Sequence, residues 1–161
     1  MKDGNSLEFG IPTAGNVGVT ITGQILYPVF NNQAGYTPEK CEVDACNSHV
    51  GQGGGPPHIH GDPFGPSCLY SAANYTPTLD VHPPVIGFAI DGYIIYGRYM
   101  TTSAVGASTA IDLCGGHEHD SYGYHYHTQV LTTTSGSTGL QLFSGIPTGL
   151  TYVITTTGPF C

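Results

Sequence analysis

Apolar residues in this chain fall in short alternating runs cut by glycine and proline. Val19, Ile21, Ile25 and Tyr27 occupy every second position around Gly23, while Phe88-Ala89-Ile90 and Tyr93-Ile94-Ile95-Tyr96 flank Asp91-Gly92. Side chains two apart on a strand share a face, so this is the pattern of half-buried strands. No stretch keeps apolar residues at helical spacing for three turns, and 24 glycines and 12 prolines punctuate the whole. The expected fold is all-β with long Gly/Pro-rich loops. Asp91-Gly92 predicts a two-residue hairpin turn, whose central positions both need positive φ. At the matching Thr22-Gly23 one continuous strand with a glycine bulge competes with the hairpin, and we favour the hairpin. Strand-like segments return at Leu140-Gln141-Leu142-Phe143 and Leu150-Thr151-Tyr152-Val153-Ile154-Thr155.

The pattern is written twice. Gly18-Val19-Thr20-Ile21-Thr22-Gly23-Gln24-Ile25-Leu26-Tyr27 returns 69 positions later as Gly87-Phe88-Ala89-Ile90-Asp91-Gly92-Tyr93-Ile94-Ile95-Tyr96. Asp44-Ala45-Cys46-Asn47-Ser48-His49 and His58-Ile59-His60 return as Asp112-Leu113-Cys114-Gly115-Gly116-His117 and His125-Tyr126-His127, at shifts of 68 and 67. Each copy is thus a hairpin followed by a histidine loop. Neither is long enough to hold a core alone, so pseudo-twofold packing of the two is expected. This divides the chain into an arm over 1–17, a core over 18–127 with copies at 18–60 and 87–127, and a β-rich tail over 128–161 that packs on the core or on a neighbour. Within the tail, Thr132-Thr133-Thr134-Ser135-Gly136-Ser137-Thr138 reads as a linker or an O-glycosylated patch.

Charge narrows the partners. Only Lys2, Lys40 and Arg98 are cationic and the formal net charge is -8, so counterion release has almost nothing to work with and nucleic acid is excluded as a partner. No apolar run approaches the roughly 20 residues of a membrane helix, so membrane insertion is not expected, and Met1-Lys2-Asp3-Gly4-Asn5 lacks a signal-peptide core. Charged residues are 9% of the chain, against about a quarter in ordinary soluble domains. The uncharged polar surface this leaves suits glycans, carbohydrate or self-association. Asn74-Tyr75-Thr76 is an N-glycosylation sequon, followed by Pro77. Five cysteines among turn residues point to disulfides and an extracellular or cell-surface setting. The pairing adopted is Cys46 with Cys68 and Cys114 with Cys161, since each staples a histidine loop to the segment after it. Cys41 is then left over, either for an intermolecular bridge or as a buried thiol.

Each H-x-H pair on a strand presents two imidazoles to one side while Ile59 or Tyr126 faces the other. His49 or His117 adds a third nitrogen. The candidate metal ligands are therefore His49, His58 and His60 in one copy and His117, His125 and His127 in the other, with His119, Asp62 and Asp120 as additional candidates. Three imidazoles suit zinc or copper rather than calcium. Two separate sites and one shared site fit the spacing equally. The competing reading is that the histidines tie glycine-rich loops by hydrogen bonds alone. Tyr122, Tyr124 and Tyr126 read as packing and hydrogen-bonding residues.

Gly123-Tyr124-His125-Tyr126-His127, preceded by Asp112-Leu113-Cys114-Gly115-Gly116-His117 and by the run from Ile86 to Gly97, closely resembles the YHYH-domain proteins over about residues 15–128. The resemblance implies secretion and a histidine-rich core, and no particular reaction. Copy one departs from the tetrad with Pro57-His58-Ile59-His60. Two functions compete. One is a copper- or zinc-dependent extracellular oxidoreductase, since Pro57-His58-Ile59-His60-Gly61-Asp62 is similar to the H-x-H ligands of copper/zinc superoxide dismutases. A charge of -8 repels an anionic substrate, and no nucleophile stands beside a recognisable base. The favoured reading is non-enzymatic: a metal-tied scaffold whose terminal strands add to a neighbour's sheet edge, head to tail, as a filament.

Overall fold

The computed structural model describes residues 14–32, 37, 42–51, 53–76, 81–98, 106, 108–112, 114–134 and 151–156. Among them there is no helix, hence none long and apolar enough to cross a membrane. Eight strands form one mixed sheet: β1 (Gly18–Thr20), β2 (Ile25–Leu26), β3 (Ser48–His49), β4 (His58–Ile59), β5 (Val85–Ala89), β6 (Ile94–Tyr96), β7 (Gly116–His119) and β8 (Tyr122–His127). Their order is β3-β4-β2-β1-β5-β6-β8-β7, which reads the same from either edge when β1–β4 are exchanged for β5–β8.

Both hairpins form. At Thr22-Gly23, β1 and β2 pair antiparallel, which settles the fork in favour of the hairpin. The loop geometry differs from the expected two-residue turn. Gly92 N–H donates to Ala89 O at 3.0 Å and Ala89 N–H to Tyr93 O at 2.8 Å, leaving three loop residues with positive φ at Gly92. Gly23 closes on Thr20 O and Thr20 N–H on Gln24 O in the same way. This is the three-residue hairpin, which needs its left-handed residue only at the last position.

The two halves meet at β1 and β5, where Gly18 lies opposite Ala89, Val19 opposite Phe88 and Thr20 opposite Gly87. Those partners are symmetric about Val19 and Phe88, residues 69 apart. Glycine is required on both sides of the seam: a Cβ on Gly18 would sit 2.5 Å from Phe88 O, and one on Gly87 would strike Val19 O. Each half then adds a parallel strand, β4 beside β2 and β8 beside β6, with antiparallel β3 and β7 at the edges. Leu26, Ile59, Ile86, Ile95 and Tyr126 fill the core with Val17, Tyr70, Tyr75 and Ala89.

An ion pair crosses between the halves. Asp62, wholly buried, accepts from Arg98 Nε and from Tyr70 OH, and the Arg98 guanidinium stacks over Phe64 at 4.3 Å. The Cys46–Cys68 bridge forms as expected. Cys114 is also disulfide-bonded, to a cysteine outside the described residues, where Cys41 and Cys161 both lie. In the tail, β9 (Gln129–Thr134) and β10 (Thr151–Thr156) pair with each other as a separate two-stranded sheet. Thr132, Thr133 and Thr134, expected in a linker or an O-glycosylated patch, are strand residues. Leu140–Phe143 and the first thirteen residues of the arm lie outside the described residues.

Candidate metal centres

The loop before each third histidine is built by an aspartate. Asp44 Oδ1 accepts from the N–H groups of Cys46 and Ser48, and Asp112 Oδ1 from those of Cys114 and Gly116, at 2.8–3.1 Å. These bonds hold an Asx turn, with Asn47 and Gly115 in the left-handed region. The turn delivers His49 opposite His58, and His117 opposite His125. Strand alternation does the rest: Ile59 and Tyr126 enter the core, and the flanking imidazoles point the other way.

In the first half His49, His58 and His60 form one group whose ligand nitrogens lie within 4.8 Å of one another. His49 Nε2 and His58 Nε2 are 2.9 Å apart. His60 Nδ1 bonds Pro28 O at 2.6 Å, and His58 Nδ1 bonds Pro56 O at 3.2 Å. Tyr27 packs on both rings. The group opens on a cavity of about 440 Å³, lined also by Phe30, Asn31, Glu42 and Gly51. Asn31 Nδ2 donates to Glu42 Oε1 at 2.9 Å.

The second half gathers five imidazoles. His82, His119, His125 and His127 form a group within the same 4.8 Å. His117 adjoins it, its Nε2 3.1 Å from His127 Nε2, which in turn lies 3.1 Å from His125 Nε2. His82 Nε2 is 3.4 Å from that of His125. The Nδ1 atoms are engaged elsewhere: His127 with Gly97 O, His125 with Gly123 O, His117 with Thr109 O and His82 with Pro83 O, at 2.6–2.9 Å. His119 Nδ1 faces Asp120 at 3.0 Å, leaving its buried Nε2 with no hydrogen-bond partner among the described residues.

A carbonyl on Nδ1 fixes the proton there and turns a bare Nε2 lone pair inward. Bare lone pairs at about 3 Å repel one another unless a cation lies between them. Protonation does not supply it readily. Burial, outweighing the backbone bonds, lowers His127 to about 3 and His82 and His60 to about 4, and pushes His117 and His125 down as well. Two nitrogens at about 2.05 Å from a tetrahedral zinc stand about 3.3 Å apart, close to the spacing found here. The donor set could hold a metal ion.

The other candidate residues fall elsewhere. Asp62 has both oxygens turned to Tyr70 and Arg98, away from either histidine group. Asp120 is exposed and orients His119 from outside. Asn74 is an exposed turn residue whose Oδ1 accepts from Ser71. Tyr124 and Tyr126 donate to Asp112 and Asp91, tying β8 to two loops. His82 was not among the sequence candidates. It lies between the repeated units, where no periodicity marks it, and is brought in by stacking on Tyr122 at 4.0 Å.

A family model described as YHYH protein matches residues 4–112. The matched span begins and ends earlier than the resemblance placed it, and stops before the Tyr124–His127 tetrad. No curated protein and no solved structure matches the chain.

Proposed function

This chain belongs to the YHYH protein family, and we propose that it is a secreted, non-enzymatic structural and binding protein whose two histidine groups each hold a divalent transition metal, zinc or copper. One observation carries the metal assignment: the ligand nitrogens of each histidine group lie within 4.8 Å of one another, and in the second half Nε2 atoms 3.1–3.4 Å apart converge while backbone carbonyls occupy the Nδ1 atoms of His82, His117, His125 and His127. The mirrored strand order and the symmetric β1–β5 seam support a duplicated, pseudo-twofold unit. In such a unit the ions clamp each edge of the sheet. Disulfide bonding at Cys46, Cys68 and Cys114 supports an oxidising, extracellular setting.

The scaffold is proposed to associate with further copies or with carbohydrate, through its uncharged polar surface and its terminal strands. Elemental analysis of protein purified without added metal tests the first part. The expected result is metal that falls in both His58→Ala and His127→Ala; no metal in wild type, with none taken up on addition, rejects it. Sedimentation at high concentration and electron microscopy test association, which a strictly monomeric chain with no fibres would refute. Copper-loaded protein is expected to show no redox turnover beyond that of free ion.

A further inference from the structure

The two halves differ where a fourth ligand belongs. In the second half His119 and His82 join the H-x-H pair. Gly51 stands 68 positions before His119, the offset that also relates His49 to His117, and no histidine precedes His49 in the chain. The first half therefore lacks both added imidazoles. Gly51 lies against the group it fails to complete, since a Cβ there would be 3.6 Å from His58 Cε1, in ordinary contact. Among the described residues no other side chain refills the space: Gly51, His49, His58 and His60 all line the cavity of about 440 Å³. That volume is within the range of small-molecule sites.

We propose that the ion held by His49, His58 and His60 keeps one coordination position for an external ligand, and that this ligand is a neutral, imidazole-like nitrogen donor. The proposal rests on the metal-binding reading above. Three protein ligands with an open fourth position distinguish a site that exchanges ligands from one closed for structure. Cavity chemistry selects the donor. Glu42, positioned by Asn31, puts a carboxylate on the wall, which disfavours anions and accepts an N–H. An imidazole coordinating through one nitrogen turns its other N–H outward, as metal-bound histidines do toward carboxylates. Tyr27 and Phe30 offer the ring apolar and aromatic surface. Such a ligand is an external replacement for the missing histidine, whether a free small molecule or a histidine side chain of another protein.

Cobalt(II) reports coordination through its visible absorption, and imidazole is the probe. The difference spectrum between wild type and His58→Ala isolates the first-half ion without disturbing the second half. Adding imidazole is expected to shift that spectrum saturably. Gly51→His is expected to show the shifted spectrum without imidazole and to weaken the imidazole response at least tenfold. Glu42→Gln is expected to weaken imidazole about tenfold, the equivalent of one charge-assisted hydrogen bond. Cobalt bound through His58 whose spectrum does not move with imidazole would overturn the proposal, as would an unchanged response in Gly51→His or tighter binding of azide than of imidazole. A chain that takes up no cobalt at all would instead overturn the metal-binding reading beneath it, and the absent band tells the two failures apart.

Discussion

The halves of the sheet share a plan and differ in closure. In both, an Asx turn and an H-x-H strand bring three imidazoles together beside a tyrosine, Tyr27 or Tyr96. In the second half His119 and His82 add to them, His125 and His127 are almost fully buried, and Tyr124 and Tyr126 lash β8 to two aspartates. In the first half Pro57 and Ile59 stand where those tyrosines are, His49 and His58 stay half-exposed, and the group faces a cavity. The same backbone device thus serves a more buried group and a more accessible one. What separates them is the side chains added around the shared core, not the strand pairing.

The hardest way to break this contrast is to remove one histidine from each side. His127→Ala empties a buried site and strands Gly97 O, and is expected to cost about 3–5 kcal/mol in urea unfolding of the metal-free protein. His58→Ala, half-exposed, is expected to cost about 1 kcal/mol or less. Equal losses would mean that the two centres are equally structural. Removing the Cys46–Cys68 bridge, which spans 22 positions, is expected to cost about 3 kcal/mol. Elemental analysis should show metal loss only from the first half, because the bridge holds the His49 turn and not the second group.

Acid sharpens the comparison further. His127 is held near 3, and His60 and His82 near 4, against 6.5 for the ordinary side chain. The unfolded chain therefore binds more protons between these values, so metal-free protein loses stability as pH falls from about 6.5 and levels off near 3. His127→Ala should flatten that slope more than His60→Ala does; a profile unchanged from pH 7 to 4 would contradict the neutral, buried imidazoles described here. The smallest expected effect is that of Tyr126→Phe, about 1 kcal/mol for the lost bond to Asp91, seen as a lower thermal midpoint.

Much of this was legible from local pattern. Gly23 and Gly92 marked both hairpins, and H-x-H alternation separated Ile59 and Tyr126 from the imidazoles beside them. Cys46 and Cys68 pair as their loop positions suggested. The aspartates were less legible. Asp62 was an additional candidate ligand, yet the lone arginine, Arg98, just past β6, pairs with it. Thr132–Thr134 read as a linker or an O-glycosylated patch, but the residues pair with β10, a partner too distant in sequence for composition to reveal.

By itself the sequence determined which residues repeat, where the chain turns and which imidazoles share a face, because glycine conformation, Asx turns and strand alternation act within a few residues. The tertiary structure decided how many imidazoles each site receives. His82 joins the second group where it stacks on Tyr122, and the first group faces a cavity to which Gly51 adds no side chain. Whether a coordination position is filled or free depends on what packs around it, and no local pattern carries that information.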